Sequence, residues 1–217
     1  MTIQSIEQAL GTNYSMFYHP DWPAQNLKPV CTLEQSISDV NGMLQNSGRD
    51  LSRWSAKDQD EIARLLRANW IWQRLPIEPI RKPILVHLEH NEFVVDCGDT
   101  RLMALSLLSH DSRVSVVCTV SKDLDSRFEG WTQIKNNQDL ISATGFSASA
   151  GILLTLSDSK DYAVSWLEIG DHTTTHHLHD VDLRLQMMQG YLDQQPSNFL
   201  FSLDWCKNQI DWNSYAS

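Results

Sequence analysis

One stretch constrains the fold more than any other, because strand, glycine-turn and helix signals follow one another in it without a gap. Ile84 to Leu88 and Phe93 to Asp96 are apolar runs separated by Glu89-His90-Asn91-Glu92, a polar connection of the length that joins antiparallel strands. A hairpin is therefore predicted. Gly98 follows, free to adopt positive φ, and then a helix-forming run from Leu102 to Leu108 that Ser109-His110-Asp111 ends. The strand-to-helix turn falls at Cys97 to Thr100. A helix start leaves backbone N–H groups unpaired and carries partial positive charge, so it suits a phosphate or a carboxylate. Arg101, in the first turn, brings a guanidinium fork that pairs with such an anion. The residues leave a second reading open, in which Asp99 or Thr100 caps the helix and Arg101 is a surface or ion-paired residue.

Pro83-Ile84-Leu85-Val86, the strand Phe93 to Asp96, Gly98-Asp99-Thr100-Arg101-Leu102-Met103-Ala104 and a strand-like Val114 to Val120 stand here in that order. The arrangement resembles the ParB/sulfiredoxin superfamily. That family carries a Pro-Ile-x-Val strand, a hairpin, a strand ending near an acidic residue, and Gly-x-x-Arg-x-x-Ala opening a helix. The likeness covers about residues 77–120. It implies nucleotide-phosphate binding at the turn, and family members include nucleotide-hydrolysing DNA-partition proteins, an ATP-using sulfinic acid reductase and a free-serine kinase. Carried onto this sequence, the resemblance implies that Gly98, Asp99, Thr100 and Arg101 hold a nucleoside triphosphate with Mg²⁺. Asp96 or Asp99 would then bind the metal or orient a hydroxyl or water for phosphoryl transfer or hydrolysis, linked to a DNA transaction. Two departures narrow this. Sulfiredoxin-like members place a nucleophilic Cys directly after the Gly, whereas here Asp99 holds that position and Cys97 precedes the Gly, so reductase chemistry is not expected. After Val120 no helix-turn-helix for reading DNA is legible, so chromosome segregation is not expected either.

Composition sets outer bounds. A chain of 217 residues with 41% hydrophobic content can bury a real core. Its formal net charge of −10 opposes nonspecific attraction to nucleic acid, which depends on clustered Lys and Arg. Cys31, Cys97, Cys118 and Cys206 are scattered, with no Cys-x-x-Cys, so neither a zinc ribbon nor a disulfide framework is indicated and a reducing compartment fits. No apolar run reaches membrane length, and Met1 to Ser5 lack the features of a secretory signal. The expected location is the cytoplasm, or a host cytoplasm if the chain is virus-encoded.

Taken in order, residues 1–30 are rich in turn signals such as His19-Pro20-Asp21-Trp22-Pro23 and are expected to wrap over a surface rather than form a long element. Thr32-Leu33-Glu34-Gln35 reads as a capping box before a helix with Leu33, Ile37, Val40 and Leu44 on one face, ending at Gly48. A second helix starts near Ser55, runs to about Gln73, and places Ile62, Leu65, Leu66 and Trp70 on one face. The helix after Gly98 is apolar nearly all round, and Val114 to Val120 has the β-branched character of an interior strand. A short helix is expected around Trp131 to Ile141, and Phe146 to Ala150 is the nearest thing to a boundary. Beyond it come a hairpin from Ile152–Leu156 and Tyr162–Leu167, a helix with Val181, Leu185, Met188 and Leu192, and a helix after Pro196-Ser197 with Phe199, Leu203, Cys206 and Ile210.

Half of the eight histidines lie within Gly170 to Asp180. As an extended run this segment would place His177 and His179 on one face and His172 and His176 on the other, a set able to bind Zn²⁺ or a similar cation but split between two sides. The alternative is local hydrogen bonding or solvent exposure.

The expected fold is α+β, with a ParB/sulfiredoxin-like core at 76–145, a helical N-terminal cover at 1–75 and a C-terminal hairpin with two helices at 146–217, all in one compact unit. The leading expectation for function is nucleotide or phosphate binding. Alternatives are a noncatalytic protein-interaction module of phage or mobile-element type, and a metal-dependent nuclease or hydrolase using the histidine-rich run.

Overall fold

The structure is a computed structural model that describes residues 13–76, 80–108, 111–156, 163–170 and 181–211. The fold is α+β, with helices and a six-stranded mixed sheet. The described residues group into two compact units, each discontinuous in sequence. Those before Cys31, those of 80–99 and those of 111–170 form the first, and those of 31–76, 100–108 and 181–211 form the second.

The first unit is built on strands β1 (Tyr14–Pro23), β2 (Leu27–Lys28), β3 (Ile84–Glu89), β4 (Glu92–Cys97), β5 (Arg113–Ser121) and β6 (Thr132–Ile134). They lie in the order β2-β4-β3-β5-β1-β6. The predicted hairpin is β3–β4, and its loop is tighter than the polar spacing suggested. Glu89 pairs with Glu92, leaving only His90 and Asn91 between the strands, both at positive φ (48° and 69°). Two left-handed residues give the loop a twist that matches the strands it joins. Strand β5 then pairs parallel to β3, with Ile84 opposite Val116 and Val86 opposite Cys118. All four of these side chains are buried, as expected of central strands enclosed on both faces.

The N-terminal expectation is corrected. Tyr14–Pro23 is a ten-residue strand inside the sheet, paired to β5 on one side and to β6 on the other. Ser15, Met16 and Phe17 are buried one after another, as in a strand covered on both faces, a run that the neighbouring turn signals hid. Those signals are accommodated locally. The register with β5 shifts between His19 and Trp22, and β6 pairs only with Met16 to Tyr18, so the proline segment faces no partner on that side. Proline has no N–H to donate and is tolerated at such places.

The helix expected around Trp131 to Ile141 is also corrected. Thr132–Ile134 is strand β6, and helix α4 (Asn137–Thr144) begins only after Asn136 accepts the Asp139 N–H at 3.0 Å. That cap divides the segment, and Ile134 packs with Met16, Leu85, Val117 and Leu140 over one face of the sheet. Phe146 to Ala150 is not a boundary, since strand β7 (Ser147–Leu156) starts within it and pairs antiparallel with β8 (Ala163–Gly170).

The second unit holds helices α1 (Leu33–Ser47), α2 (Ala56–Arg74), most of α3 (Asp99–Ser106), α5 (Val181–Gln194) and α6 (Leu203–Cys206). Thr32 caps α1 by accepting the Gln35 N–H, and Ser55 caps α2 by accepting the Asp58 N–H, each at 3.2 Å. Gly48 closes α1 at φ +74°, a conformation that suits glycine. The core gathers Val40, Leu51, Ile62, Leu65, Met103 and Leu192 with Tyr191, Phe201 and Trp205. In α3, Leu102 to Leu105 are all buried, as the apolar run predicted.

Two packing expectations fail here. Trp70 is 41% exposed, with the Arg74 guanidinium 4.8 Å from its ring centre. Its place on the buried face goes to Asn69, whose Nδ2 donates to the carbonyls of Cys206 (2.8 Å) and Asn208 (3.1 Å). The last helix spans only Leu203–Cys206, because Ser202 caps it by accepting the Trp205 N–H at 3.1 Å; of the expected stripe, Phe199, Cys206 and Ile210 pack against the core and only Leu203 is exposed. Among the described residues no helix is long and apolar enough to cross a membrane.

Leu65 is fully buried in this core, so Leu65→Ala is expected to lower unfolding free energy by about 2–5 kcal/mol in urea titrations. Asn69→Ala, which removes the donor to the Cys206 carbonyl and one of the two donors to the Asn208 carbonyl, should cost about 1–3 kcal/mol in the same assay.

Candidate functional site

Strand β4 ends at Cys97, Gly98 turns at φ +121°, and helix α3 opens with Asp99, followed in its first turn by Thr100 and Arg101. The positive φ is a reason for glycine here, since a side chain at this conformation is strained. One carboxylate oxygen of Asp99 accepts the Val30 N–H at 3.2 Å, which ties the turn to the segment following β2. Asp99 and Arg101 also make further interactions within the protein. The four residues Gly98 to Arg101 therefore stand consecutively on a strand–turn–helix connection.

Asp96 has a different environment. Its Oδ1 lies 2.7 Å from Nδ1 of His87, and both side chains are only 8% exposed. His87 sits opposite Val94 on the hairpin, and Asp96 is the extra residue of β4 where the register shifts between Leu85 and Val86, beside the imidazole. Glu89 stands on the same face of β3 as His87, with Oε2 3.8 Å from its Nε2. Burial works to lower the pKa of His87, but the hydrogen bond and negative charge of Asp96, with a further contribution from Glu89, outweigh it and leave the imidazole above its ordinary value of 6.5. His87 is the residue that the sequence alone did not single out. The available signal was its position on the hairpin, which becomes informative only once the two-residue loop fixes which residues face each other.

Beside this pair on β5, burial and then the charge of Asp96 push the Cys118 thiol far above the usual range, and burial pushes Cys206, in the second unit, up to about 12. Neither is an accessible thiolate nucleophile. Cys97 is exposed and immediately precedes the turn.

An aromatic cluster forms a third feature of the first unit. The ring of Trp22 lies 4.9 Å from Trp131, 5.1 Å from Phe93 and 5.2 Å from His19, and Phe93 stacks on Trp131 at 5.6 Å. Trp22 is thus a packing anchor for the β1 end of the sheet.

The proposed metal ligands His172, His176, His177 and His179 lie outside the described residues. Among the described residues, no group of three or more His, Cys, Asp or Glu side chains is arranged to hold a metal ion. No protein-family model matches this chain, and no match is found among curated proteins or solved structures.

Two measurements follow. A raised His87 contributes stability that is fully present below its unfolded value and is lost as pH rises through its folded one. Unfolding free energy should therefore fall as pH is raised from about 6 through the folded value, and His87→Gln should flatten that slope. Separately, Gly98→Ala should destabilise the protein by more than about 1 kcal/mol, read by thermal or urea unfolding, because alanine must be held at φ +121°.

Proposed function

We propose that this chain binds a phosphate-bearing ligand, a nucleoside triphosphate with Mg²⁺, at the Gly98–Arg101 turn. The observation that carries the reading is Gly98 at φ +121° immediately before the first turn of an eight-residue helix that contains Arg101. Such a turn brings backbone N–H groups close to an anion, and an arginine in the first turn adds a forked, permanently charged donor. The order of elements supports the same reading. An antiparallel hairpin, a glycine turn, a helix and then a strand parallel to the first follow one another, as the likeness to the ParB/sulfiredoxin superfamily leads one to expect.

The roles then divide by environment. Asp96 is committed to His87, so the carboxylate assigned to Mg²⁺, or to orienting a hydroxyl or water, is Asp99 at the turn itself. Thr100 supplies a hydroxyl donor. The whole chain carries −10 net charge, so the anion relies on local groups: the helix start, Arg101 and the metal. Phosphoryl transfer or hydrolysis at such a site would draw its rate from positioning and charge neutralisation.

Calorimetric titration with ATP, CTP and GTP, with and without Mg²⁺, tests this directly. Saturable, Mg²⁺-dependent binding of at least one nucleotide is expected, weakened about 10- to 100-fold in Arg101→Ala, the range for losing a charge-assisted bond. Arg101→Lys should recover only part of it, since an ammonium cannot reproduce the fork. A folded wild-type protein that binds none of the three, or an Arg101→Ala protein that binds normally, would overturn the assignment.

A further inference from the structure

The first unit also contains an open groove of about 460 Å³ between β2 with its preceding turn and the loop end of β4. Its apolar members are Trp22, Leu27 and Phe93, and its polar members include the amides Gln25, Asn26 and Asn91. Leu27 is buried, Trp22 and Phe93 are half-buried, and all three amides are exposed, so the apolar groups form the floor and the amides the rim. The register of β2 against β4 sets the floor by placing Leu27 directly opposite Phe93. The neighbouring rings of His19 and Trp131 hold Trp22 in place, and Arg127 holds Asn91 through its amide oxygen.

The charges on the rim decide what the groove can take. Lys28 and Glu92 form an ion pair with each other there, so the residues lining the groove carry no net formal charge that would select an anion or a cation. A wholly apolar ligand would strip water from three amides and an ion pair without replacing those hydrogen bonds. What remains is a neutral molecule with one apolar face and an edge that both donates and accepts hydrogen bonds. A sugar ring has this pattern: its C–H face packs on an aromatic floor, and its hydroxyls match side-chain amides, which also donate and accept. The volume lies within the range of about 300–1,000 Å³ typical of small-molecule sites.

We infer that this groove is a binding site for a neutral saccharide. The site is independent of the Gly98 turn and does not rest on the function proposed for that turn. The test is to screen the full chain against an array of neutral, sialylated and sulfated saccharides and against free nucleosides, then to titrate the best ligand by calorimetry. The comparison variant is Gln25→Ala/Asn26→Ala, which changes only exposed side chains, and its fold is checked by circular dichroism. A neutral saccharide should bind, at least tenfold more weakly to the double variant and with unchanged affinity to Arg101→Ala. Absence of binding to every neutral saccharide, a preference for charged saccharides or nucleosides, or affinity that survives the double variant would each overturn the inference.

Discussion

Strand β3 is the element on which the first unit depends. It is hydrogen-bonded on both sides, antiparallel to β4 and parallel to β5, and Ile84, Leu85, Val86 and His87 are all buried. A one-residue slip of this strand would carry His87 to the opposite face of the sheet, away from Asp96. The fixed register is what brings His87 and Asp96 together. Once buried, the imidazole and carboxylate require each other, since either left alone in that environment would be an unsatisfied polar group. The pair is therefore a product of the sheet.

The second unit relies on a different device. Its core is apolar, but its irregular C-terminal segment is fastened by amides from the helices. Asn41 both donates to and accepts from the backbone of Phe201, at 2.9 and 2.8 Å, and Asn69 donates to the carbonyls of Cys206 and Asn208. Gln189 likewise accepts the Leu51 N–H at 2.9 Å and donates to the Arg49 carbonyl at 3.1 Å. These bonds satisfy backbone groups that a short helix and its flanking loop leave unpaired. Side-chain amides suit the task because each carries both a donor and an acceptor.

The two candidate sites draw on different chemistry. The anion site proposed at the Gly98 turn rests on the glycine conformation and on Arg101 in the first helical turn. The groove beside β2 is lined by aromatic and amide side chains and by an ion pair. Asp96, which the resemblance placed among the metal-binding or catalytic candidates, is hydrogen-bonded to His87 at the end of β4. Its neighbour in sequence, Asp99, stands at the turn proper.

The sequence by itself determined the features whose causes lie within a few residues. The Thr32 and Ser55 caps, the glycine end of α1, the β3–β4 hairpin and the Gly98 turn are all local hydrogen-bonding or φ constraints, legible from spacing alone. The tertiary structure decided whatever required distant segments to meet. Turn-rich Tyr14–Pro23 became an interior strand because β5 and β6 offered it partners, and Trp70 was turned outward because Asn69 was needed by two carbonyls near the C-terminus. The His87–Asp96 pair and the groove between β2 and β4 depend on cross-strand register, which no single segment encodes. Periodicity reveals which face of a strand is buried, but not which residue of another strand lies across from it.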